Sequence, residues 1–409
     1  MRFKFPPLDW PLAFATVALI GIGLAIVYSA TSVPGAHQGL WAKQLLWFGV
    51  AAVFAWLVAA VHYRFYDSIS WPLYAASLVA LVAVFAIGVE RLGAKRWIEM
   101  GPFQFQPSEI AKLATAFVLA RFFDHARLDL RKVRWWAPPL LITIVPFLLV
   151  AKEPDLGTAS SFPAMLVAMY FWAGMPAGQL LLGLSPILNV GLFFLTGSVW
   201  WFVGIFVATL AYARPRVIVL VAMLALNGAV AVTLPKLWNH LHDYQRRRIE
   251  TFLNPEQDPS GSGYQVIQSK IAIGSGGLFG KGFTQGPQKR LAFLPAQHTD
   301  FIFPVVGEEL GFLGVLVALI LFVSLILILL RIARRATDPF SSLCVFGMAG
   351  MLFTHIVENV GMTVNLLPIT GIPLPFFSYG GSFLLACSLA IGIALRVAWE
   401  SRQSGYAEL

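Results

Sequence analysis

The sequence predicts an all-α, polytopic integral membrane protein in which residues 1–409 form a single integral membrane domain. Hydrophobic residues make up 58% of the chain and charged residues only 12%. Soluble domains carry roughly 25% charged residues. The composition therefore excludes an ordinary soluble enzyme, and no nucleic-acid partner is expected. Several apolar runs also approach the length of about 20 residues that a helix needs to cross a bilayer, so we expect membrane lipids around most of the chain.

The first apolar run extends from Trp10 to Thr31. It is long enough to span a bilayer, and no small-residue cleavage site follows it. We therefore expect a retained helix and not a removable signal. The two cysteines, Cys344 and Cys387, lie inside later apolar runs, where a thiol behaves as a small hydrophobic group. These cysteines predict neither a disulfide framework nor a zinc site.

The remaining apolar runs bring the expected number of spans to about twelve. The region from Gln179 to Leu234 is too long for one helix and is broken at Gly197 and at the Arg214-Pro215-Arg216 sequence, so it predicts three spans. A re-entrant pair would also fit this region. Nine spans are expected elsewhere: Trp10–Thr31, Trp41–Val61, Trp71–Gly88, Pro107–Phe123, Pro138–Ala151, Ala159–Gly174, Phe301–Leu330, Phe340–Gly361 and Ser382–Trp399.

Basic residues near the helix ends predict the orientation of the chain, because cytoplasmic loops carry an excess of Lys and Arg. An amino terminus on the inside places nearly all such residues in the cytoplasm: Arg2, Lys4, Arg64, the cluster Arg121 to Arg134, Arg214, Arg216, Arg331, Arg334, Arg335, Arg396 and Arg402. The opposite orientation would export them. The segments then expected outside are 89–106, 152–158, 235–300 and 362–381.

Residues 235–300 form the predicted large extracytoplasmic loop, which carries an amphipathic segment and the candidate catalytic motif. The amphipathic segment is Gln265 to Ile273, in which Val266, Ile267 and Ile271 can share one side of a short helix. We expect this helix to lie on the membrane or dip into it, and to end at Gly274.

The glycine-rich sequence GSGGLFGKG follows this segment. It departs from the Walker pattern of NTPases, because Ser275 and Gly282 stand where that pattern needs Gly and Ser or Thr. Two interpretations remain. The glycines allow the backbone to approach an anion closely, or the sequence is a plain flexible loop.

The most informative stretch is LAFLPAQHTDFIFPVVGEELG, from Leu291 to Gly311. Asp300 lies where polar sequence gives way to a long apolar helix, so its carboxylate should be partly desolvated at a membrane surface. Such an environment raises the pKa of a carboxyl group and suits it to act as a general base. The alternative is a helix N-cap, since Asp is favoured at that position.

Other charged residues lie where a membrane protein does not need them for solubility. Glu109 and Lys112 are three residues apart and share a helix face, which also fits an internal ion pair without further function. Lys152 and Asp155 flank a helix break in the sequence AKEPDLGT, for which a solvated loop is the rival interpretation. Arg96 precedes a tryptophan at the interface in GAKRWI.

The segment NLLPITGIPLPFFSYGGS, from Asn365 to Ser382, holds three prolines and a glycine pair close to the membrane. Irregular backbone is tolerated there only when it is buried in protein or lines a cavity. We therefore expect this segment to contribute to a site.

Six motifs together resemble the SEDS glycosyltransferases of bacterial cell-wall synthesis: GAKRWI, QPSEIAK, EPDLGT, HDYQRRRIETFLNPEQDPSGSGYQVIQSKIAIGSGG, LPAQHTDFIFPVVGEELG and GIPLPFFSYGGS. The resemblance covers nearly the whole chain, and the long loop is more similar to the elongation branch of the family than to the division branch. The family usually has ten spans. The resemblance therefore implies a SEDS fold with ten core transmembrane helices. The count of about twelve apolar runs departs from this number and predicts two further helices inserted between residues 175 and 215.

The resemblance implies a peptidoglycan glycosyltransferase acting at the bacterial cytoplasmic membrane, on its periplasmic or outer face. Its substrate would be lipid II, an undecaprenyl pyrophosphate-linked disaccharide pentapeptide, which it would polymerise into β-1,4-linked strands during cell elongation and cell-shape maintenance. A class B penicillin-binding protein transpeptidase would be its partner.

By resemblance, Asp300 is the catalytic general base. A single displacement would invert the α-linked donor, and the pyrophosphate leaving group needs cations and not an acid. The resemblance assigns eight further residues to substrate binding: Arg96, Glu109, Lys112, Lys152, Asp155, His298, Thr299 and Ser378. No cofactor is assigned, and participation of a divalent cation, Mg²⁺ or Mn²⁺, is left open.

Two other classes of function compete with this one. A flippase or transporter for the same lipid would also need buried charges and broken helices, but no base. A scaffold that only recruits the penicillin-binding protein would need no charges within the membrane. A polymerisation assay with purified protein separates the three.

The predicted topology can be tested with introduced cysteines. If Arg214 and Arg216 are cytoplasmic, Ser198→Cys should react with a membrane-impermeant thiol reagent added outside intact cells, whereas Pro215→Cys should not. Labelling of both positions from outside would show that the three-way division of the middle region is wrong.

Overall fold

A computed structural model of the chain describes residues 7–32, 39–91, 94–101, 103–125, 132–196, 217–240, 250–257, 262–290 and 296–407, with a few isolated positions between 129 and 246. The chain forms two compact units. Unit 1 comprises Met1–Arg127, Pro139–Met169 and Gln265–Leu409, and unit 2 comprises Leu128–Pro138 and Tyr170–Tyr264.

The described residues are mostly helical. In chain order, the structure has α1 (Trp10–Ala30), α2 (Leu40–Ala59), α3 (Tyr63–Ile87), β1 (Val89–Arg91), β2 (Ala94–Met100), β3 (Phe103–Phe105), α4 (Pro107–His125), α5 (Ala137–Lys152), α6 (Leu156–Trp172), α7 (Ala177–Thr196), α8 (Val217–His240), α9 (Ser262–Ser275), α10 (Pro287–Arg290), α11 (Ile302–Arg335), α12 (Pro339–Thr363) and α13 (Gly381–Ala407). Six of these, α1, α2, α3, α11, α12 and α13, are long and apolar enough to cross a membrane, and shorter apolar helices lie in α5, α7 and α8. The predicted multi-pass membrane fold is confirmed.

Each of the nine spans predicted outside the middle region coincides with a helix. In the middle region, α7 and α8 match two of the three predicted helices. Most of the third, with Gly197, Arg214 and Arg216, lies outside the described residues. The count of twelve crossings therefore stays a prediction. Within unit 2, α7 packs on α8 through buried amides, and the Asn189 Nδ2 donates to the Asn227 Oδ1 at 2.7 Å.

The sequence predicted a loop over residues 89–106, and the structure shows strands within it. Three short antiparallel strands form a sheet in the order β1-β2-β3, with Val89 opposite Trp97 and Ile98 opposite Phe105. The second turn passes through Gly101, whose φ of +62° is unfavourable for other residues. The hairpin matters because β2 carries Arg96.

Helix α4 is the central helix of unit 1. Nearly every side chain from Pro107 to Ala120 is buried, and α3 and α12 both pack on it. A helix that is buried on all sides does not need one apolar and one polar face. Helices α2 and α13 also pack closely, because Gly381 and Gly392 leave room for Trp47 and for the Ala55 carbonyl.

The basic residues of several helices meet at one end of unit 1, here called the basic end. The Asp9 carboxylate lies 2.9 Å from the Arg331 guanidinium and also pairs with Arg402. Arg396 pairs with Glu400 in the same part of α13, and its Nη1 also reaches the Ala60 carbonyl at the end of α2. The three arginines were predicted to share one side of the membrane, and they lie at the same end of unit 1.

The predicted amphipathic segment is a helix, α9, but its buried face differs from the expected one. Val266, Ser269 and Ala272 are buried, whereas Ile271 is 46% exposed. The Ser269 hydroxyl is turned inward because it donates to the Thr363 carbonyl at 2.6 Å. The buried face of this short helix therefore combines two apolar side chains with a hydrogen-bonded serine.

The glycine-rich sequence forms a loop over residues 276–282, here called the glycine loop, which lies against the start of α11. The Lys281 and Gly282 N–H groups donate to the carbonyls of Glu308 and Glu309 at 2.9 and 3.1 Å. Just after the loop, the Thr284 N–H donates to the Glu309 carboxylate at 3.1 Å. The anions approached by this segment are thus the protein's own carboxylates.

The close approach explains the glycines and can be tested. A Cβ at Gly280 would lie 2.1 Å from the Glu309 carbonyl oxygen, and φ there is +79°. We expect Gly280→Ala to destabilise the protein by about 1–3 kcal/mol, because the backbone must shift to relieve the overlap. Thermal unfolding in detergent measures this. In Gly274→Ala, the matched control, the new Cβ meets nothing within 4 Å, so equal midpoints for the two variants would contradict the packing argument.

Candidate functional site

Asp300 lies immediately before α11, at the end of unit 1 opposite the basic end. Helix α11 begins at Ile302, and its N-cap position is Phe301, one residue after Asp300. Asp300 therefore does not occupy the N-cap position that its sequence suggested. Its Oδ2 points toward Gly371, where a Cβ would lie 3.4 Å away. Gly371 has a φ of +73°, a backbone conformation that favours glycine.

Side chains from neighbouring helices fix the backbone around Asp300. The Asn359 amide on α12 donates to the carbonyls of Asp300 at 2.9 Å and of Ile372 at 2.7 Å. The Ser378 hydroxyl donates to the Thr299 carbonyl at 2.7 Å and accepts from the Leu374 N–H, also at 2.7 Å. Since both hydrogen-bonding functions of the Ser378 hydroxyl are used inside the protein, its contacts favour holding this segment over binding substrate.

His298 and Thr299 also contact the 365–380 segment. The Tyr379 N–H donates to the His298 carbonyl at 2.8 Å, and the two rings lie 6.0 Å apart. The Thr299 hydroxyl donates to the Ala296 carbonyl at 3.2 Å. Roles of these two side chains in substrate binding stay predictions.

The second half of the irregular 365–380 segment is buried in protein, which is one of the two settings that its sequence predicted. Ile372, Leu374, Phe376 and Phe377 have almost no exposed surface. Gln44 on α2 satisfies two backbone groups of the segment, donating to the Ser378 carbonyl and accepting from the Gly380 N–H, each at 3.2 Å. Satisfied backbone groups are what permit non-helical chain at membrane depth.

Arg96 and Asp155 form a second cluster at the same end of unit 1. The Arg96 Nε donates to the Glu153 carbonyl at 3.2 Å, its Nη2 donates to the Pro154 carbonyl, and its Nη1 lies 3.9 Å from the Asp155 carboxylate. Asp155 is buried and caps α6, accepting from the Thr158 N–H at 3.1 Å. Strand β2 is thereby tied to the turn between α5 and α6.

The two clusters are adjacent through the backbone. Gly157, just after Asp155, lies against the Thr370 carbonyl, so that a Cβ at Gly157 would be 2.7 Å from that oxygen. Thr370 precedes Gly371, which the Asp300 carboxylate faces. Lys152, one residue before the turn, is exposed, and its ammonium lies 5.5 Å from the centre of the Phe85 ring.

Glu109 and Lys112 form the internal ion pair that their spacing predicted, and the structure adds a third member. The Lys112 ammonium is fully buried, donates to the Glu109 Oε1 at 3.1 Å and lies 2.8 Å from the His355 Nε2. The His355 Nδ1 lies 3.2 Å from the Pro373 carbonyl. This triad therefore reaches the segment that faces Asp300.

A cavity of about 350 Å³ opens beside Thr370 and Leu367, between α6 and α12. Its walls are mostly apolar, with Phe353 and Val357 half exposed. Its polar wall is Glu358, whose carboxylate accepts from the Ser160 hydroxyl at 2.6 Å. The cavity can hold an apolar group close to the Asp300 segment.

The chain matches the model of the FtsW/RodA/SpoVE family, described as a cell cycle protein, over residues 11–203 and 194–403. It is 37% identical to the peptidoglycan glycosyltransferase MrdB of Escherichia coli (strain K12), over 95% of this chain and 93% of that protein. This chain belongs to the FtsW/RodA/SpoVE family. The SEDS resemblance predicted from the motifs is thus confirmed.

Other members of the FtsW/RodA/SpoVE family are similar over almost their full length. A probable peptidoglycan glycosyltransferase FtsW of Trichlorobacter lovleyi is 36% identical, over 97% of this chain and 94% of that protein. A solved structure of RodA from Thermus thermophilus is 28% identical with a TM-score of 0.64, over 95% and 96% of the two chains. Identities of 37% to MrdB and 36% to FtsW do not separate the two branches.

One further solved structure is relevant to the family's assembly. That structure concerns the structural coordination of polymerization and crosslinking by a peptidoglycan synthase complex. The matched chain is 33% identical, with a TM-score of 0.74 over 97% of this chain and 98% of that chain.

Several residues at the site of this FtsW/RodA/SpoVE protein were missed from the sequence. Asn359, His355 and Gln44 each supply hydrogen bonds that hold the 365–380 segment. A signal was present, because His355 and Asn359 are polar residues four apart in a mostly apolar helix, where polar side chains are costly unless they have a function. Gln106 was also missed, and it donates to the Asp155 carboxylate at 3.1 Å.

Glu153 is the most unusual carboxylate of the second cluster. It is 1% exposed, and in the described structure neither carboxylate oxygen has a hydrogen-bond partner. Desolvation, together with the nearby Asp155 charge, raises the pKa of Glu153 to about 8, although Arg96 lowers it in part. The group is therefore mostly protonated at neutral pH.

This raised pKa predicts a pH-dependent stability. Between pH 4.5, the ordinary pKa of the group, and about 8, the folded state holds a proton that the unfolded state has lost, so stability falls as pH rises. Glu153→Gln has no carboxyl group to titrate at this position, so it does not lose this stability as the pH rises. We expect the unfolding midpoint of Glu153→Gln, relative to the native chain, to rise between pH 5 and pH 9. A difference that does not change with pH would contradict the raised pKa, and Glu256→Gln at an exposed position is the control.

Proposed function

We propose that this protein is a peptidoglycan glycosyltransferase that polymerises lipid II into β-1,4-linked glycan strands, with Asp300 as the general base. The observation that carries the proposal is the position of Asp300. Its backbone carbonyl accepts from the Asn359 amide, its carboxylate faces Gly371, and the N-cap position of the helix that follows belongs to Phe301. A carboxylate whose backbone is held in this way beside an enclosed segment suits a general base.

The chemistry needs one proton acceptor. A sugar hydroxyl attacks the anomeric carbon of the donor while Asp300 takes the hydroxyl proton. The bond from that carbon to the pyrophosphate oxygen breaks, and the lipid pyrophosphate leaves with the bonding electrons. A single displacement of this kind inverts the anomeric configuration, from an α-linked donor to a β-linked product.

The leaving group gains negative charge and needs cations. Lys152 is the best placed of the predicted cations, because its ammonium is exposed. Arg96 and Lys112 make contacts within the protein, so we assign them to holding the turn at Asp155 and the Asp300 segment, together with Asp155 and Glu109. The apolar cavity beside Thr370 suits the lipid part of the substrate.

A divalent cation receives no step in this proposal. Within the ranges that the structure describes, no three Asp, Glu, His or Cys side chains are grouped so that they could hold a metal ion. Participation of Mg²⁺ or Mn²⁺ stays a prediction.

Three finer parts of the proposal concern the cell. The site end of unit 1 faces outward, because the basic end is then cytoplasmic. The reaction serves elongation and cell shape, in keeping with the similarity to MrdB and RodA. A class B penicillin-binding protein is the partner, which the similarity to a chain from a peptidoglycan synthase complex supports.

Replacement of Asp300 separates this enzyme from a flippase. Asp300→Asn keeps the size of the side chain but cannot accept the proton, so polymerisation should fall by roughly 10²- to 10⁴-fold. Glycan polymer formed from lipid II by purified, monodisperse protein with its penicillin-binding partner measures the effect. Asp129→Asn is the control, since Asp129 is 47% exposed and pairs with Lys132. Equal polymer from native protein and Asp300→Asn would return the flippase function to first place.

A further inference from the structure

Helix α12 presents two polar side chains, His355 and Asn359, to successive carbonyls of the segment that faces Asp300. His355 contacts the Pro373 carbonyl at 3.2 Å and Asn359 contacts the Ile372 carbonyl at 2.7 Å. Residues four apart lie on one face of a helix. The two side chains therefore hold residues 371–374 against one face of α12 through hydrogen bonds.

The contacts of His355 determine which ring nitrogen carries its proton. An ammonium group only donates, so the His355 Nε2 accepts from the Lys112 Nζ at 2.8 Å. The Pro373 carbonyl only accepts, so the Nδ1 carries the hydrogen and donates to it. His355 is then neutral, with one hydrogen bond in each direction.

Lys112 is held in place by its surroundings, so the hydrogen-bond donor that the His355 Nε2 contacts is itself fixed. The ammonium is fully buried, hydrogen-bonds to Glu109, which lies on the same helix, and lies 5.3 Å from the centre of the Phe383 ring. That ring also stacks on His355, with centroids 4.6 Å apart. A buried ammonium that loses its partners is costly, so the group resists displacement.

We propose that His355 is a positioning residue for Asp300, because it connects the buried Glu109–Lys112 pair to the 371–374 segment that the Asp300 carboxylate faces. The inference rests on the proposed function, in which Asp300 is the base. Displacement of Pro373 would carry Gly371 with it and open the surface against which the carboxylate lies. Displacements of about 1 Å at a reacting group can cost on the order of 10²-fold in rate.

Two substitutions separate the contacts of His355. The Asn side-chain nitrogen matches the ring Nδ1, so His355→Asn keeps a donor for Pro373 and loses the acceptor for Lys112. The Gln side-chain oxygen matches the Nε2 position, so His355→Gln keeps the acceptor and loses the donor. The pair therefore distinguishes positioning of the segment from support of the buried charge.

Positioning predicts opposite effects on turnover and on stability. His355→Gln should lose about 10- to 100-fold in kcat with little change in KM, while its unfolding midpoint stays near that of the native chain. His355→Asn should have the lower midpoint, because Lys112 loses a partner, yet keep the higher kcat per folded molecule. Initial rates of lipid II polymerisation at varied substrate, with thermal unfolding of the same samples, provide both readouts.

Native kcat in a folded His355→Gln protein would overturn the inference, and so would losses of kcat that follow the unfolding midpoints of the two variants. If His355→Asn does not fold, His355→Gln alone decides, since it keeps the Lys112 contact. Asp300→Asn, measured in parallel, separates the two proposals. An inactive Asp300→Asn beside two fully active His355 variants removes only the positioning role, whereas an active Asp300→Asn removes the proposed function.

Discussion

A fully buried ammonium is the constraint on which the candidate site depends. Lys112 lies on α4, the most enclosed helix of unit 1, where an unpaired charge would be prohibitively costly. Its partners come from two helices: Glu109 from α4 itself and His355 from α12. The requirement to satisfy one charge therefore fixes the spacing of two helices, and through Pro373 it extends to the segment beside Asp300.

The same principle explains the unusual number of amide and hydroxyl contacts around the 365–380 segment. Non-helical backbone at membrane depth leaves carbonyl and N–H groups that water cannot reach. Asn359, Ser378 and Gln44 supply these groups with partners. Each also connects the segment to a different part of unit 1. The hydrogen bonds that satisfy the backbone of the segment therefore also hold it in position beside Asp300.

Glycines allow close backbone packing at the start of α11. The glycine loop lies directly against residues 307–309, and a Cβ at Gly276 would be 2.0 Å from the Gly307 carbonyl oxygen. The glycine-rich sequence, for which close approach to an anion and a flexible loop were the two interpretations, packs beside two buried carboxylates, of which Glu309 accepts from the Ser29 hydroxyl at 2.7 Å. Helix α1 is thus joined to the segment that carries Asp300.

The sequence by itself determined the fold class, the bounds of most helices and the family, because apolar length and local motifs are properties of contiguous residues. It also identified Asp300, Arg96 and the Glu109–Lys112 pair as noteworthy charges. It did not determine the strand that carries Arg96, the buried face of α9 or the partners His355 and Asn359. Those features depend on hydrogen bonds between residues up to several hundred positions apart, and only the tertiary structure decides which donor meets which acceptor. The same reason explains why Asp300 could be noticed from its sequence while its place against Gly371 could not.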